Sequence, residues 1–182
     1  LVDAGAGTAA HRTADNAPCV TISLDLKFIG SSKIGDEIVG SVKILKKTMS
    51  NEFEQISVKR GFMKHNGGVL FRNISETEYE FKSTINENHL NAAGITHGGY
   101  LSALVDAGAG TSAYRAASGA PCVTISLDLK FIGASKIGDE ITGFTKILKK
   151  TNTLVFLFCE LRCNDKIITS ASGVWKILKI KT

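Results

Sequence analysis

One long helix lying on the face of an antiparallel sheet, an α+β fold, is the class that three features of this sequence predict. Residues 97–117 form a single apolar stretch in which Leu101, Leu104 and Val105 recur at helical spacing among small residues. Directly after it comes the clearest alternation in the chain. Val123, Ile125, Leu127, Leu129 and Phe131 face one way and Thr124, Ser126, Asp128 and Lys130 the other. The segments that follow are also strand-like and are joined by turns, so parallel βαβ units are not indicated. Gly108-Ala-Gly110 is a weak dinucleotide signal, because Ala113 stands where the third glycine belongs.

A repeat comes before the elements. Residues 1–48 align without gaps to residues 104–151 and differ at nine positions: 9, 11, 13, 15, 16, 31, 39, 41 and 42. The copy begins inside the apolar helix and ends after one later strand. It keeps Asp3 and Thr21, the counterparts of Asp106 and Thr124, and has none for Asn91, His97, Gly98 or Gly99. Met49-Ser50-Asn51 reads like an ordinary protein start. The predicted organisation is therefore a partial duplicate, 1–48, ahead of a complete unit, 49–182; an exon duplication and a gene-model fusion would both produce it.

Within that unit, Phe53, Ile56 and Phe62 fall at helical spacing and predict a short helix over 51–65, broken by Asn66-Gly67-Gly68. Residues 69–85 are rich in β-formers and predict a first strand, at least in their later part, where Tyr79 and Phe81 alternate with Glu78, Glu80 and Lys82. A loop over 86–96 leads to the helix, which Ser118-Gly119-Ala120-Pro121 closes. The alternating strand comes second. Lys136 to Asp139 turns into a third strand running through Lys150, residues 154–163 form a fourth, Asn164-Asp165 turns, and 166–177 form a fifth. Five strands and one long helix are expected.

With 182 residues, 43% hydrophobic and 21% charged, the chain is an ordinary globular one. No apolar run approaches the roughly 20 residues that span a bilayer, and Leu1-Val-Asp lacks the basic start of a signal peptide, so a soluble intracellular protein is expected, with cytosol and mitochondrion both open. The net charge of +5 is spread along the chain, with Lys46-Lys47 and Lys149-Lys150 as its nearest clusters. No basic stripe interleaves with aromatics, so nucleic acid is not an expected partner, whereas an anionic ligand suits the balance. Of four cysteines, Cys19 and Cys122 are duplicates, and Cys159 and Cys163 would lie about 13 Å apart on one strand face, too far for a disulfide. Reduced thiols and no metal-ligand spacing are the reading.

His97-Gly98-Gly99 opens the helix, where unpaired N–H groups can polarise a carbonyl oxygen and the glycines let a substrate reach the backbone. Asp106 is the one charge between His97 and Arg115. A lone acid in an apolar helix needs a partner, and the competing account makes Asp106 a cap or a core hydrogen-bond acceptor and His97 a capping or loop residue. The nine steps from His97 to Asp106 amount to about 900° and about 13.5 Å on one helix. If both act on one reacting centre, they come from two helices, most simply across a two-fold axis.

Asn91, His97-Gly98-Gly99 and Asp106, followed by Gly119-Ala-Pro121 and an alternating strand, resemble the hotdog-fold acyl-CoA thioesterases of the phenylacetate-pathway type, most of all the animal group of thioesterase superfamily member 2, or acyl-coenzyme A thioesterase 13. The resemblance covers about residues 49–182. It implies a sheet wrapped around the helix and hydrolysis of acyl-CoA to fatty acid and coenzyme A, which is part of the substrate, so no cofactor is implied. It also implies a homodimer or dimer of dimers through the strand at 122–132. Asn91, His97 and Gly98 would lie on one subunit, with Asp106 and Thr124 on the other. Thr124 stands where the animal enzymes use serine, which keeps a hydroxyl and adds a methyl group. Gly99, Lys136, Lys149 and Lys150 are candidate coenzyme A contacts, against the alternative of solvated lysines.

Two rivals accompany this reading. One is an acyl-CoA-binding or scaffold protein without turnover, inactivated by the duplicate; the other is a hotdog hydratase, whose Asp and His pattern near the helix start would differ. No nucleophile elbow is present, so an acyl-enzyme is not indicated. The duplicate raises a further expectation: Cys19 to Ile29 would dock antiparallel on Cys122 to Ile132 in place of a dimer partner, bringing Asp3 toward His97 and Gly98, against the alternatives that the copy stays disordered or displaces residues 104–151.

Overall fold

The computed structural model describes residues 4, 8–10, 12, 33–42, 52–57 and 59–179. The chain divides into two compact units, Leu1–Thr48 and Met49–Thr182. The expected docking of Cys19 to Ile29, and the position of Asp3, lie outside the described residues.

In the first unit the described residues carry local hydrogen bonds that recur in the second. Thr8 Oγ1 donates to the Ala4 carbonyl at 2.8 Å, as Thr111 Oγ1 does to Ala107 at 2.8 Å. The Lys33 N–H donates to Asp36 Oδ2 at 2.7 Å, as Lys136 does to Asp139 at 2.9 Å, with Gly35 and Gly138 both at positive φ. Residues 37–42, however, are exposed and without regular structure, while their counterparts lie within a paired strand. Bonds spanning three or four residues need only the local sequence; a strand needs neighbours, and residues 1–48 contain no copy of them.

The second unit is one antiparallel sheet of seven strands. In chain order the elements are β1 (Glu54–Ile56), α1 (Phe62–His65), β2 (Val69–Asn73), β3 (Glu78–Thr84), α2 (Gly98–Ala116), β4 (Cys122–Phe131), β5 (Glu140–Lys150), β6 (Leu154–Cys163) and β7 (Lys166–Ile177), with a 3₁₀ turn at Glu87–His89 before α2. The spatial order is β1-β2-β3-β5-β6-β7-β4.

Seven strands replace the five expected, and the first helix shrinks to four residues. Ser57 and Gly61 at positive φ interrupt helical continuity over 51–65, and Glu54–Ile56 instead pairs with β2. Residues 69–85 form a hairpin, not one strand. Ser75 Oγ accepts from the N–H groups of Thr77 and Glu78 and turns the chain between β2 and β3.

α2 buries Tyr100, Leu101, Leu104, Val105, Gly108, Ala109, Ser112 and Ala113 against the sheet. What seats it is Phe81 of β3, whose ring fills a slot walled by two glycines. A Cβ on Gly108 would lie 2.3 Å from the ring, and one on Gly143 of β5 2.1 Å. The helix therefore approaches the sheet more closely than alanine would permit.

β4 is the edge strand next to β7, and most of it is exposed, Val123, Ile125 and Phe131 included. Its register skips between Thr124 and Ser126, which leaves Ile125 as a bulge. The expected uniform alternation is corrected accordingly. The extra residue shifts the side-chain parity, so Thr124 lies on the helix side along with Leu127, Leu129 and Phe131, not opposite them.

Candidate active site

α2 begins at His97, whose backbone is extended (φ −67°, ψ 133°) and whose Nδ1 accepts from the Gly99 N–H at 2.8 Å. The His97 N–H donates to the His89 carbonyl at 2.7 Å, and the His97 carbonyl accepts from Tyr100 N–H at 2.9 Å. Among the described residues nothing accepts from the Gly98 N–H. That leaves one free donor, at the positive end of a 19-residue helix, between peptide groups that are already tied down. Each glycine has its own reason. A Cβ on Gly99 would stand 2.9 Å from His97 Nδ1 and push the cap off, and a Cβ on Gly98 would meet the Phe131 ring at 3.3 Å.

Farther along the same helix, Thr124 Oγ1 donates to Asp106 Oδ1 at 2.6 Å. Both are exposed and share a cavity of about 440 Å3 with Ala107, Gly110, Thr111, Tyr114, Cys122 and Trp175. Trp175 forms its buried floor, pairing with Thr124 across the β4–β7 ladder. Burial raises the Cys122 thiol above its ordinary pKa, against the pull of Lys150, so Lys150 belongs to this end of the molecule. The Thr124 bond leaves one Asp106 oxygen and the remaining lone pairs free for water.

Asn91 spends its side-chain oxygen on its own loop, accepting from Ala93 N–H at 2.9 Å and Ile95 N–H at 3.3 Å. The loop is fastened at Thr96, whose N–H donates to the Ser135 carbonyl at 2.8 Å and whose hydroxyl accepts from Ser135 Oγ at 2.7 Å. Beside it a second cavity, about 520 Å3, is lined by Ile95, Ile132, Ser135, Lys136, Asp139 and Lys166 among others. The structure thus joins Asp106 to Thr124, and His97 to Gly98 and Gly99. It puts Lys136 near the loop end and Lys150 near the Asp106 end. Lys149 is exposed on β5 and lines neither cavity. The two halves stay apart: eight helical steps separate Gly98 from Asp106, about 12 Å, and the cavities share no residue. Among the described residues no three His, Cys, Asp or Glu side chains converge as a metal site.

The family model described as "Thioesterase superfamily" matches residues 93–169. A Pseudomonas aeruginosa protein named "Putative esterase" is 35% identical over 112 residues, which cover 61% of this chain and 84% of that one. The chain belongs to the thioesterase superfamily. This superfamily member is also 34% identical over 77 residues to mouse acyl-coenzyme A thioesterase 13, covering 42% of this chain and 55% of the mouse protein. Its fold is the hotdog, shared with zebrafish thioesterase superfamily member 2 at a TM-score of 0.61 and 25% identity, over 66% of this chain and 90% of that one. Hydrolysis of a thioester is the chemistry this membership supports.

The superfamily match contains His97, Gly98, Gly99, Asp106, Thr124 and the three lysines; Asn91 lies just ahead of it. Sequence reasoning missed Trp175, Phe131 and His89. Trp175 and Phe131 looked like ordinary core positions of alternating strands. His89 sat in a loop read only for Asn91, although Asn86 followed three residues later by His89 is the spacing of a reciprocal helix cap.

Proposed function

We propose that the protein hydrolyses acyl-CoA thioesters to a free carboxylic acid and coenzyme A. The observation that carries this reading is the Gly98 N–H, free at the start of α2 on a helix that also bears the Asp106–Thr124 pair. A thioester carbonyl oxygen placed on that N–H gains a hydrogen bond that strengthens as the oxygen becomes anionic; removing one such donor from a characterised site costs about 3–4 kcal/mol. Asp106 accepts a proton from water, or orients it, while Thr124 holds the carboxylate in place. The water oxygen bonds to the carbonyl carbon, the C–S bond breaks, and the proton ends on the departing coenzyme A thiolate. Thiolate leaves readily, so modest basicity at Asp106 suffices.

With about 12 Å between Gly98 and Asp106, one chain does not complete the centre. Gly98 of one copy and Asp106 of a second complete it in a homodimer or a dimer of dimers, assembled through the exposed edge β4, residues 122–132. His97 caps the oxyanion donor, Asn91 shapes the loop before it, and Gly99 lets the cap close. Lys136 on the second cavity, Lys150 near the first and Lys149 beside it are the candidate contacts to coenzyme A phosphates. The reaction as written uses no cofactor.

The test is steady-state turnover of a series of fatty and aryl acyl-CoA substrates by the full chain, with detection of free thiol. Turnover that follows acyl structure is expected. Tight binding of acyl-CoA with no thiol release would establish the non-catalytic reading instead.

A further inference from the structure

Beneath the loop that carries Asn91 lies a buried polar cluster to which the proposed reaction assigns no step. His89 is 1% exposed. Its Nδ1 accepts from the Asn86 N–H at 3.1 Å, so the ring proton sits on Nε2 and donates to the Asn66 carbonyl at 3.2 Å. The ring stacks on Tyr100, centroids 3.7 Å apart and planes within 7°. The Tyr100 hydroxyl in turn shares a 2.6 Å hydrogen bond with Ser83 Oγ. One imidazole therefore gathers the end of α1, the 3₁₀ turn, β3 and the first turn of α2.

We propose that His89 is a positioning residue for the oxyanion donor. The Gly98 N–H belongs to the peptide that joins His97 to Gly98, and its direction follows the His97 backbone. Four bonds hold His97. Three, from the N–H groups of Gly99, Tyr100 and Leu101, arise within α2 itself. The fourth, His97 N–H to the His89 carbonyl at 2.7 Å, comes from outside the helix. The His89 side chain holds its own turn in place through Asn86 and Asn66, and so holds the carbonyl that anchors His97. With both ring nitrogens occupied and no solvent access, the imidazole has no proton to trade with a substrate. Its effect passes through geometry alone, and a displacement of about 1 Å at a reacting group costs as much as about 100-fold in rate.

This assignment rests on the proposed thioester hydrolysis, and the experiment separates the two. His89→Phe keeps the stack on Tyr100 and loses both ring hydrogen bonds. His89→Gln can return a donor to Asn66 and provides a second, gentler variant. Ile147→Ala, a buried position at the end of β5 opposite the Asp139 contact with Ile85 and lining neither cavity, serves as a control for lost stability. Steady-state kinetics on the full chain are expected to show kcat down at least 10-fold in His89→Phe with KM within about 2-fold, a smaller loss in His89→Gln, and wild-type kcat in Ile147→Ala. Wild-type kcat in a folded His89 variant, or an equal kcat loss in Ile147→Ala at matched melting temperature, overturns the proposal. If the wild-type chain turns over no acyl-CoA, the functional reading has failed, and the positioning role is then read from the amide resonances of Gly98 and Gly99. Shifts in His89→Gln support it, and unchanged resonances overturn it.

Discussion

Thr124 Oγ1 reaches Asp106 Oδ1 at 2.6 Å only because β4 is bulged at Ile125. Without the extra residue, Thr124 would point away from α2 while Leu127, Leu129 and Phe131 packed toward it. The bulge gives one strand two jobs, an apolar contact with the helix start and a hydroxyl beside the helix acid. Asp106→Ala is expected to lower kcat by at least about 100-fold with a smaller change in KM. Thr124→Val, which keeps the shape and loses the hydroxyl, should lose about 10-fold, and Thr124→Ser should stay close to wild type. Near-wild-type turnover in Asp106→Ala would remove the carboxylate from the mechanism.

The second glycine of the motif supports a separate prediction. A Cβ at Gly99 would stand 2.9 Å from His97 Nδ1, so Gly99→Ala displaces the ring that caps α2. Loss of a helix cap costs about 1 kcal/mol, and the Gly98 donor loses a constraint at the same time. A drop in both melting temperature and kcat is expected, of about 10-fold in the latter. A variant with the wild-type rate would show that the cap does not matter for catalysis.

Phe81 and its two glycines make a purely structural prediction. Gly108→Ala and Gly143→Ala each drive a methyl group to within 2.3 Å and 2.1 Å of the ring in the present backbone, an overpacking that costs about 1–3 kcal/mol. Combining either with Phe81→Leu should recover part of the loss, because the smaller side chain vacates the collision. Urea denaturation of the single and double variants measures the coupling, and strictly additive losses would contradict a shared slot.

The contrast between these sites explains what the sequence made legible. α2 could be read almost to the residue, because His97 offers a cap, the apolar positions keep helical spacing and Ser118-Gly119 stops the chain. β6 and β7 were equally plain, their turn announced by Asn164-Asp165, both at positive φ. The Ile125 bulge was not, since a run of ten residues with good alternation gives no local sign of an extra residue; the sign lies in the β7 partner. β1 was lost for a similar reason. Three residues with helical spacing on either side carry too little pattern to reveal an edge strand that forms only by pairing with β2. The Asp106 motif was readable, but its partner Thr124 was placed on the wrong face.

His89 also predicts a pH dependence. Burial lowers its pKa from the ordinary 6.5, opposed only in part by the bond to Asn66, and no charged side chain contributes to the shift. The groups packed on the ring, Tyr100, Asn66 and Asn86, are neutral. Because the folded state prefers the neutral ring, its contribution to stability is complete above about pH 6.5 and is lost as pH falls below that value toward the lowered pKa. Melting temperature should therefore decline between about pH 6.5 and pH 5 in the wild type. His89→Gln should flatten that slope, and an unchanged slope would assign it to other groups.

Among the described residues, 49–182 contain all seven strands, both labelled helices and every residue assigned to the site. The duplicated residues 1–48 reproduce the threonine bond and the Lys-Ile-Gly-Asp turn of their counterparts, but over 37–42 they form no strand. Strand formation in the second unit draws on β3 and β6 on either side of β5, and neither has a copy in the first 48 residues. A chain starting at Met49 is accordingly expected to fold, to melt at the same temperature as the full chain or higher, and to turn over acyl-CoA at the same rate or faster. Calorimetry and the thiol-release assay on the two proteins side by side check this. Insolubility or lost activity on truncation would mean that the second unit needs the duplicated residues.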